Sequence, residues 1–299
     1  MSRTQQIGNL VGVFLPFVGL VVAIVLLWNS AVDGIDLAIL GVLYLLGGFG
    51  VTIGFHRLLT HRAFATHKRL EYAFAALGSA SLQGPVLDWV ADHRKHHAHT
   101  DTEGDPHSPH AGAGKGLRGL FHAHVGWLFE TQGQADWRKY APDLYEDPGM
   151  RKINKLFLPI TAASLLIPAA LGGLLHGDLA GAARGLVWGG LVRIFLLHHI
   201  TWSINSVCHF FGRRRFDLDD HSTNVAWLAL PSLGEAWHHN HHAFPRSAGH
   251  GLRGRELDPS AWVIGGLRRL GLVWNVVQIS PERQIARQAP AGRQAPAPS

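Results

Sequence analysis

One cysteine, Cys208, stands in 299 residues. No internal disulfide can form, and no thiolate-rich centre, such as a four-cysteine zinc or iron–sulfur site, is available. Charge is scarce too. Asp, Glu, Lys and Arg make up 16% of the chain against 47% apolar residues, which is apolar for a soluble domain and typical of a membrane protein with a sizeable polar part. A formal charge of +6 suits an anionic partner. No basic run interleaves with aromatics, so nucleic acid is the weakest candidate, behind lipid headgroups and a phosphate-bearing carrier. No repeat of fixed period is present. No ionisable side chain interrupts Asn9 to Trp28, about 20 residues, the length a hydrocarbon core of roughly 30 Å requires.

Leu37 to Phe55 reads the same way, as does Leu156 to Leu175 despite Pro159 and Pro168, which membrane helices tolerate. A fourth span, Leu186 to Ile204, carries Arg193, His198 and His199 and is expected to turn them toward protein or a cavity. The first span is too long for a cleavable signal peptide, and no small-residue cleavage site follows it. The expected fold is all-α, an integral membrane protein with four transmembrane helices at about 9–28, 37–55, 156–175 and 186–204 and a helical cap holding a metal site. Lys and Arg decide its orientation. The link Asn29 to Asp36 has none and His176 to Gly185 has only Arg184, whereas residues 56–154 carry twelve and residues 205–299 carry eleven. By the positive-inside rule both termini and the segments 56–155 and 205–283 are cytoplasmic. Leu70 to Val90, broken by Gly78, Gly84 and Pro85, reads as an interfacial or cap helix. The Ala-, Pro- and Gln-rich stretch 284–299 reads as a disordered tail after a single domain over 1–283.

Histidine is what the chain has in quantity, 21 residues, and eight fall into three clusters: His56 and His61 in H-R-L-L-T-H, His93, His96 and His97 in H-R-K-H-H, and His238, His241 and His242 in H-H-N-H-H. Offsets of three and four put each H-x-x-H-H trio on one face of a helix. His56 and His61, five apart, fall about 140° around an ideal helix, so they are expected to serve different metals or to straddle a helix end. Asn205 and His209, four apart at the exit of the fourth span, add an imidazole with an amide below it. A lone histidine pair at a membrane boundary is more often interfacial polarity than a ligand set. Three clusters on one expected side, two with identical spacing, reverse that reading. Eight or nine imidazoles exceed the needs of one metal, so two are inferred; among iron, zinc and copper, a nitrogen-rich site with open positions and no thiolate suits non-haem iron and dioxygen. Asp92, Asp105, Asp220 and Glu235 lie near the clusters and are candidates to orient imidazoles through the outer ring nitrogen. His239 is expected to point away from the metals, and His67, His99, His110, His122, His176 and His250 to be surface or outer groups.

Together these residues resemble the membrane fatty acyl desaturases, the delta-9 acyl-CoA type in particular. The resemblance runs from about Gly54 to Pro245 through G-F-H-R-L-L-T-H-R-A-F, D-W-V-A-D-H-R-K-H-H-A-H-T-D-T-E-G-D-P-H-S-P, H-V-G-W-L-F, T-W-S-I-N-S-V-C-H and G-E-A-W-H-H-N-H-H-A-F-P. It implies a di-iron centre on the cytosolic side of four membrane helices, held by His56, His61, His93, His96, His97, His209, His238, His241 and His242, with Asn205 acting through a water and no catalytic side chain beyond the ligands. The implied reaction is aerobic. O2 is the co-substrate, a hydrogen leaves an unactivated methylene, and a second loss leaves a cis double bond, expected at delta-9 of a stearoyl or palmitoyl chain on CoA. An alkyl C–H is too weak an acid for any side-chain base, so the hard chemistry belongs to the metal while the protein positions the chain in a narrow apolar tunnel. Trp89, Trp127, Trp202 and Trp237 flank the boxes and are candidates for its walls.

Two departures bear on the carrier. Acyl-CoA members carry basic residues after H-V-G-W, where this chain has Glu130, Thr131 and Gln132, and the arginine before the second box is Ala91. Both remove charge suited to CoA phosphates and bring in a lipid-bound or acyl-carrier-protein-bound chain as alternatives. Arg213, Arg214 and Arg215 are candidates for replacement charge or for lipid headgroups. Electrons are expected from a separate donor, of ferredoxin, rubredoxin or cytochrome b5 type with a reductase. A membrane di-iron hydroxylase is the enzymatic rival. A histidine-rich metal transporter is the other, but transporters place ligands near the bilayer midplane, whereas these clusters lie outside the spans.

Overall fold

Each of the long helices starts or stops for a local reason. The computed structural model describes residues 3–28, 32–112 and 115–290, so the expected link Asn29 to Asp36 falls partly outside the described residues. Helix α1 runs Arg3–Trp28. Its Phe14, Phe17, Val18 and Ile24 are exposed, as a face covered by hydrocarbon rather than protein requires. Helix α2, Gly34–Phe49, opens on a capping box in which Asp33 accepts from the Ile35 and Asp36 N–H groups and Asp36 accepts from Asp33 N–H. It continues without a break as a π-helix, Gly50–Thr60, past the expected end at Phe55.

Two helices, α3 (Lys68–Ser79) and α4 (Val86–His99), stand where one was expected over Leu70 to Val90. Leu82 (φ 57°) and Gly84 (φ 109°) turn the chain between them, and Pro85 has no N–H with which to continue a helix. Helix α5, Phe157–His176, stops at Gly177, whose φ of 81° is the left-handed cap. The fourth span is one helical run, Leu179–His209, in which a π-segment, Leu186–Val192, leads into α6, Arg193–Ser206. Its polar residues face protein. Buried Arg193 donates to Ser164 Oγ (2.6 Å) and Gly189 O (2.7 Å), and His198 bonds Ser81 O (3.0 Å), which replaces the water they lack at that depth. These four helical runs are long and apolar enough to cross a membrane. The chain is mostly helical, with β1 (Ala65–Thr66) pairing antiparallel to β2 (Val273–Trp274) in the register Ala65↔Trp274.

The end of the second span is the keel of the polar half. Phe55, Leu58 and Leu59 of the π-helix pack with Val90 of α4, Met150 and Ile264 in one buried cluster. Helix α3 crosses so closely that a Cβ on Gly50 would lie 2.4 Å from backbone atoms of Leu77 and Gly78, an approach only glycine permits. Three short helices complete the part that concerns the site: α7 (His238–Ala243), α8 (Pro259–Arg269) and α9 (Pro281–Ala286). Disorder was expected from Gln284; instead Gln284–Ala286 finish α9, and the Ala289 N–H bonds Arg215 O at 3.0 Å. Residues 291–299 of that stretch lie outside the described residues.

Candidate metal centre

The π-helix decides the first histidine pair. His61 N–H bonds His56 O at 3.1 Å, an i→i+5 register that stacks residues five apart, and the two rings lie 4.8 Å apart between centroids. Ideal α-helical geometry would have separated them by about 140°. The second box occupies the C-terminal end of α4. Arg94 holds it against the first by donating to Leu59 O (2.7 Å) and Thr60 O (3.1 Å), carbonyls left free at the end of the π-helix, and to Asp143 (2.7 Å). The third box is α7. Asn240 fixes it by donating to His250 O and Glu256 Oε2 (both 2.9 Å) while accepting from Asn224 (2.9 Å) and Arg215 (3.1 Å).

Nine imidazoles converge on two centres. His56, His61, His93, His97 and His241 bring ring nitrogens within 4.8 Å of one another, and so do His96, His209, His238 and His242. His97 stacks on His242 at 4.7 Å, so the two groups touch. The H-x-x-H-H trios do not each stay on one centre, as a single shared face would have it; they exchange members. Helix α4 gives His93 and His97 to the first group and His96 to the second, while α7 gives His238 and His242 to the second and His241 to the first. On a helix, i and i+4 lie about 40° apart but i+3 and i+4 about 100°, so a helix set between two centres feeds both.

Carboxylates behind the rings set their orientation. Asp105 accepts the Nδ1–H of His96 (2.9 Å), Asp101 that of His209 (2.9 Å), Asp220 that of His242 (3.0 Å) and Glu235 that of His56 (2.5 Å). Each leaves Nε2 with a lone pair facing inward. The Nε2 atoms nevertheless stand close: His209 to His238 2.9 Å, His238 to His242 3.0 Å, His97 to His241 3.0 Å and His56 to His241 3.2 Å. Nε2 of His61 and of His96 is buried with no hydrogen-bond partner. Converging lone pairs repel unless a cation lies among them, and two nitrogens about 2.1 Å from one ion and about 90° apart are about 3.0 Å from each other. The donor set fits a pair of transition-metal ions.

The electrostatics agree with that use. Burial, and after it the neighbouring rings, pushes His61, His93, His97, His238, His241 and His242 well below the usual histidine range, so all are neutral at pH 7. Burial works to raise Asp101 and Asp105, but the facing His209 and His96 and their hydrogen bonds outweigh it and hold both carboxyls well below their usual range. Glu235 is held low against burial by His56, His250 and Arg57.

Other expected site residues lie elsewhere. Asp92 orients no imidazole; one residue before His93 it points off that face, accepts Gly133 N–H (2.6 Å) and Ala135 N–H (3.2 Å), and is raised by burial to about 7. Trp89 stacks on His93 (5.1 Å) and borders a cavity of about 50 Å³ together with His56, His93, Asn205 and His238. Trp127 and Trp202 pack on each other with Leu128, and Trp237 donates to Leu257 O (2.8 Å), so these three build apolar cores and not that cavity. His239 is outside both groups, with its ring accepting Phe216 N–H (2.9 Å).

Three residues escaped the spacing argument. Asp101 sits in the same T-D-T-E-G-D run as Asp105, which was its signal, and holds a φ of 57°. Arg57 follows His56 in the first box; fully buried, it donates to Glu235 Oε1 (3.1 Å), Asp258 Oδ2 (3.2 Å) and Ala248 O (2.8 Å). His250 had no signal at all. It is buried with its ring 4.5 Å from that of His241 and its Nδ1 3.3 Å from Glu235 Oε2.

Known proteins are similar to this chain over most of its length. The fatty acid desaturase profile matches residues 37–254. The chain is 43% identical over 267 residues to the hex-5-enoyl-[acyl-carrier protein] acetylenase of Moorena producens, covering 88% of this chain and 83% of that one. It is 41% identical over 234 residues to the sn-1 stearoyl-lipid 9-desaturase of Anabaena variabilis, covering 78% and 80%. With the icosanoyl-CoA 5-desaturase of Limnanthes douglasii it shares 38% identity over 234 residues, covering 77% and 61%. A histidine-rich centre at the end of membrane-length helices, in a sequence this similar over this extent, has one reading: the chain belongs to the fatty acid desaturase family and is a membrane oxidoreductase of lipid metabolism.

Proposed function

We propose that this chain inserts a cis double bond at the delta-9 position of a saturated acyl chain carried on a membrane glycerolipid, with dioxygen as co-substrate and electrons from a separate protein. The observation that carries this reading is the convergence of nine neutral or carboxylate-oriented imidazoles into two adjoining groups beside a small cavity. Two iron ions held there supply the activation of dioxygen that removing hydrogen from an unactivated methylene requires. His56, His61, His93, His97 and His241 would hold one and His96, His209, His238 and His242 the other, with Asn205 reaching the second through a water. The cavity bordered by Trp89, His56 and His238, about 50 Å³, is roughly two water volumes, so it admits a short stretch of chain and holds it beside the rings with little solvent.

Charge supports this choice of carrier. Thr131 donates to Pro106 O and Gln132 to Gln83 O, while Arg214 is spent on Ser222 O and Leu218 O and Arg215 on Asn240 and Glu256. The replacement charge envisaged for CoA phosphates is thus mostly committed inside the protein, which favours a lipid-bound chain over the acyl-CoA first expected. The similarity to an enzyme named for an acyl-carrier-protein substrate supports a second reading with that carrier. The Lys and Arg distribution supports a cytoplasmic histidine face with both termini on the same side, in one domain over 1–283. Fatty-acid profiling with double-bond location, in a desaturase-deficient host expressing the chain beside His241→Ala, tests the reaction. A monoenoic acid from the parent alone is expected, and its first appearance in glycerolipid rather than in acyl-CoA or acyl-carrier-protein pools tests the carrier. A hydroxy acid instead would select the hydroxylase.

A further inference from the structure

A cavity larger than the one beside the rings lies at the end of α7. It is an open groove of about 590 Å³ between the segment after α7 and the segment that carries α9, with Ala243, Phe244, Val277 and Ile279 in its wall. Three arginines surround it, Arg246, Arg283 and Arg287, all exposed and none in an ion pair among the described residues. Arg287 donates to Ala243 O and lies over the Phe244 ring at 5.6 Å, so it belongs to the wall, whereas the exposed side chains of Arg246 and Arg283 have no ion-pair partner among the described residues.

The groove shares no residue with the cavity beside the rings. Helix α7 separates them: His238 borders the inner cavity and Ala243 the outer groove, five residues on, about 7.5 Å along the helix axis. A wall that begins at Ala243 is one peptide unit from His242 and two from His241, one ring in each histidine group. An apolar floor ringed by unpaired cations, covalently next to both groups and cut off from the inner cavity, fits a partner that delivers electrons and not one that delivers carbon.

We propose that this groove docks an acidic one-electron carrier protein, so that electrons and acyl chain reach the centre from opposite ends of α7. The inference rests on the desaturase reading above. Removing two hydrogens from a methylene pair with one dioxygen gives one alkene and two waters and takes up two further electrons and two protons; the carrier supplies those electrons in two encounters, losing one each time, and the protons come from solvent. Complementary charge at the rim speeds encounter and is screened by salt.

The test uses the purified, iron-loaded full chain and a reduced acidic plant-type [2Fe–2S] ferredoxin as the probe. Arg246→Glu with Arg283→Glu is expected to weaken ferredoxin binding, read by direct titration, at least tenfold and to raise the ferredoxin KM by the same factor while kcat changes little. Arg151→Glu with Lys152→Glu, the same charge change on an exposed surface elsewhere, is expected to leave both unaltered. Affinity that is absent in the parent, or equal in parent and groove variant, overturns the proposal. So does a groove variant that loses only cosedimentation with phosphatidylglycerol vesicles, which would assign the arginines to lipid headgroups. Ferredoxin binding without desaturation, under ferredoxin or dithionite alike, would overturn the desaturase reading itself.

Discussion

Asp101→Asn separates the two histidine groups. One oxygen of Asp101 accepts from His209 Nδ1 (2.9 Å) and His221 N–H (2.8 Å), the other from Ser108 Oγ (2.7 Å), and the side chain is 2% exposed. Asparagine keeps an oxygen toward His209 and His221, and its amide meets a hydroxyl that can turn to accept. The geometry survives and the charge goes. Loss of an outer carboxylate lowers metal affinity about 10–100-fold, or about 1.4–2.7 kcal/mol. Only the group containing His209 feels it, because the first group is braced by Glu235 behind His56. Iron per chain, counted by mass spectrometry after timed dialysis against a chelator, is expected to fall from two toward one. Asp101→Ala is the blunter variant, since it leaves two buried donors without an acceptor at about 1–3 kcal/mol each and confounds metal loss with unfolding. Equal loss of both irons in Asp101→Asn, or loss of neither, would refute the division into two independently braced groups.

His241→Ala and His96→Ala remove one ring from each group and are expected to lower product formation at least about 100-fold, while membrane fractionation shows the chain still inserted. The pH dependence has a definite sign. Rings pushed below the usual range do not compete for protons at pH 6.5, and Asp101 and Asp105, held low, contribute stability above about pH 3.9 that is lost as pH falls through their folded values. Iron retention by the folded chain should therefore be flat from pH 7 to about 5, whereas melting temperature should fall as pH drops below about 6.5, because rings held neutral in the fold take up protons once the chain unfolds; a melting temperature flat across that window would contradict the burial argument. Gly50→Ala forces apart the backbones of α3 and the π-helix that carries His56, and a loss of about 1–3 kcal/mol, read as a lowered melting temperature, is expected.

How much of this was legible in the sequence depends on the range over which each signal acts. Apolar run length is local, so four membrane helices were readable within a few residues, and the errors fell at helix ends, where caps such as Asp33 and the π-register beyond Phe55 extend them. The residue type and chain order of the histidines were equally plain. Asp105, Asp220 and Glu235 were found by proximity to the boxes, and the same rule misled at Asp92, because one position along α4 rotates the side chain about 100° away.

By itself, the sequence determined that the chain carries four runs long and apolar enough to cross a membrane, and that imidazoles fit to hold metal gather at one end of them. The tertiary structure alone decided which ring joins which group. Spacing of three and four residues describes one helix, but the exchange of His96 and His241 between groups exists only because α4 and α7 lie on opposite sides of the same pair of centres. His56 joins His61 because a π-turn, stabilised by packing against α3 and α4, replaced an α-turn. His250 and Arg57 acquired their places from contacts with residues nearly two hundred positions away, or more, which no local pattern encodes.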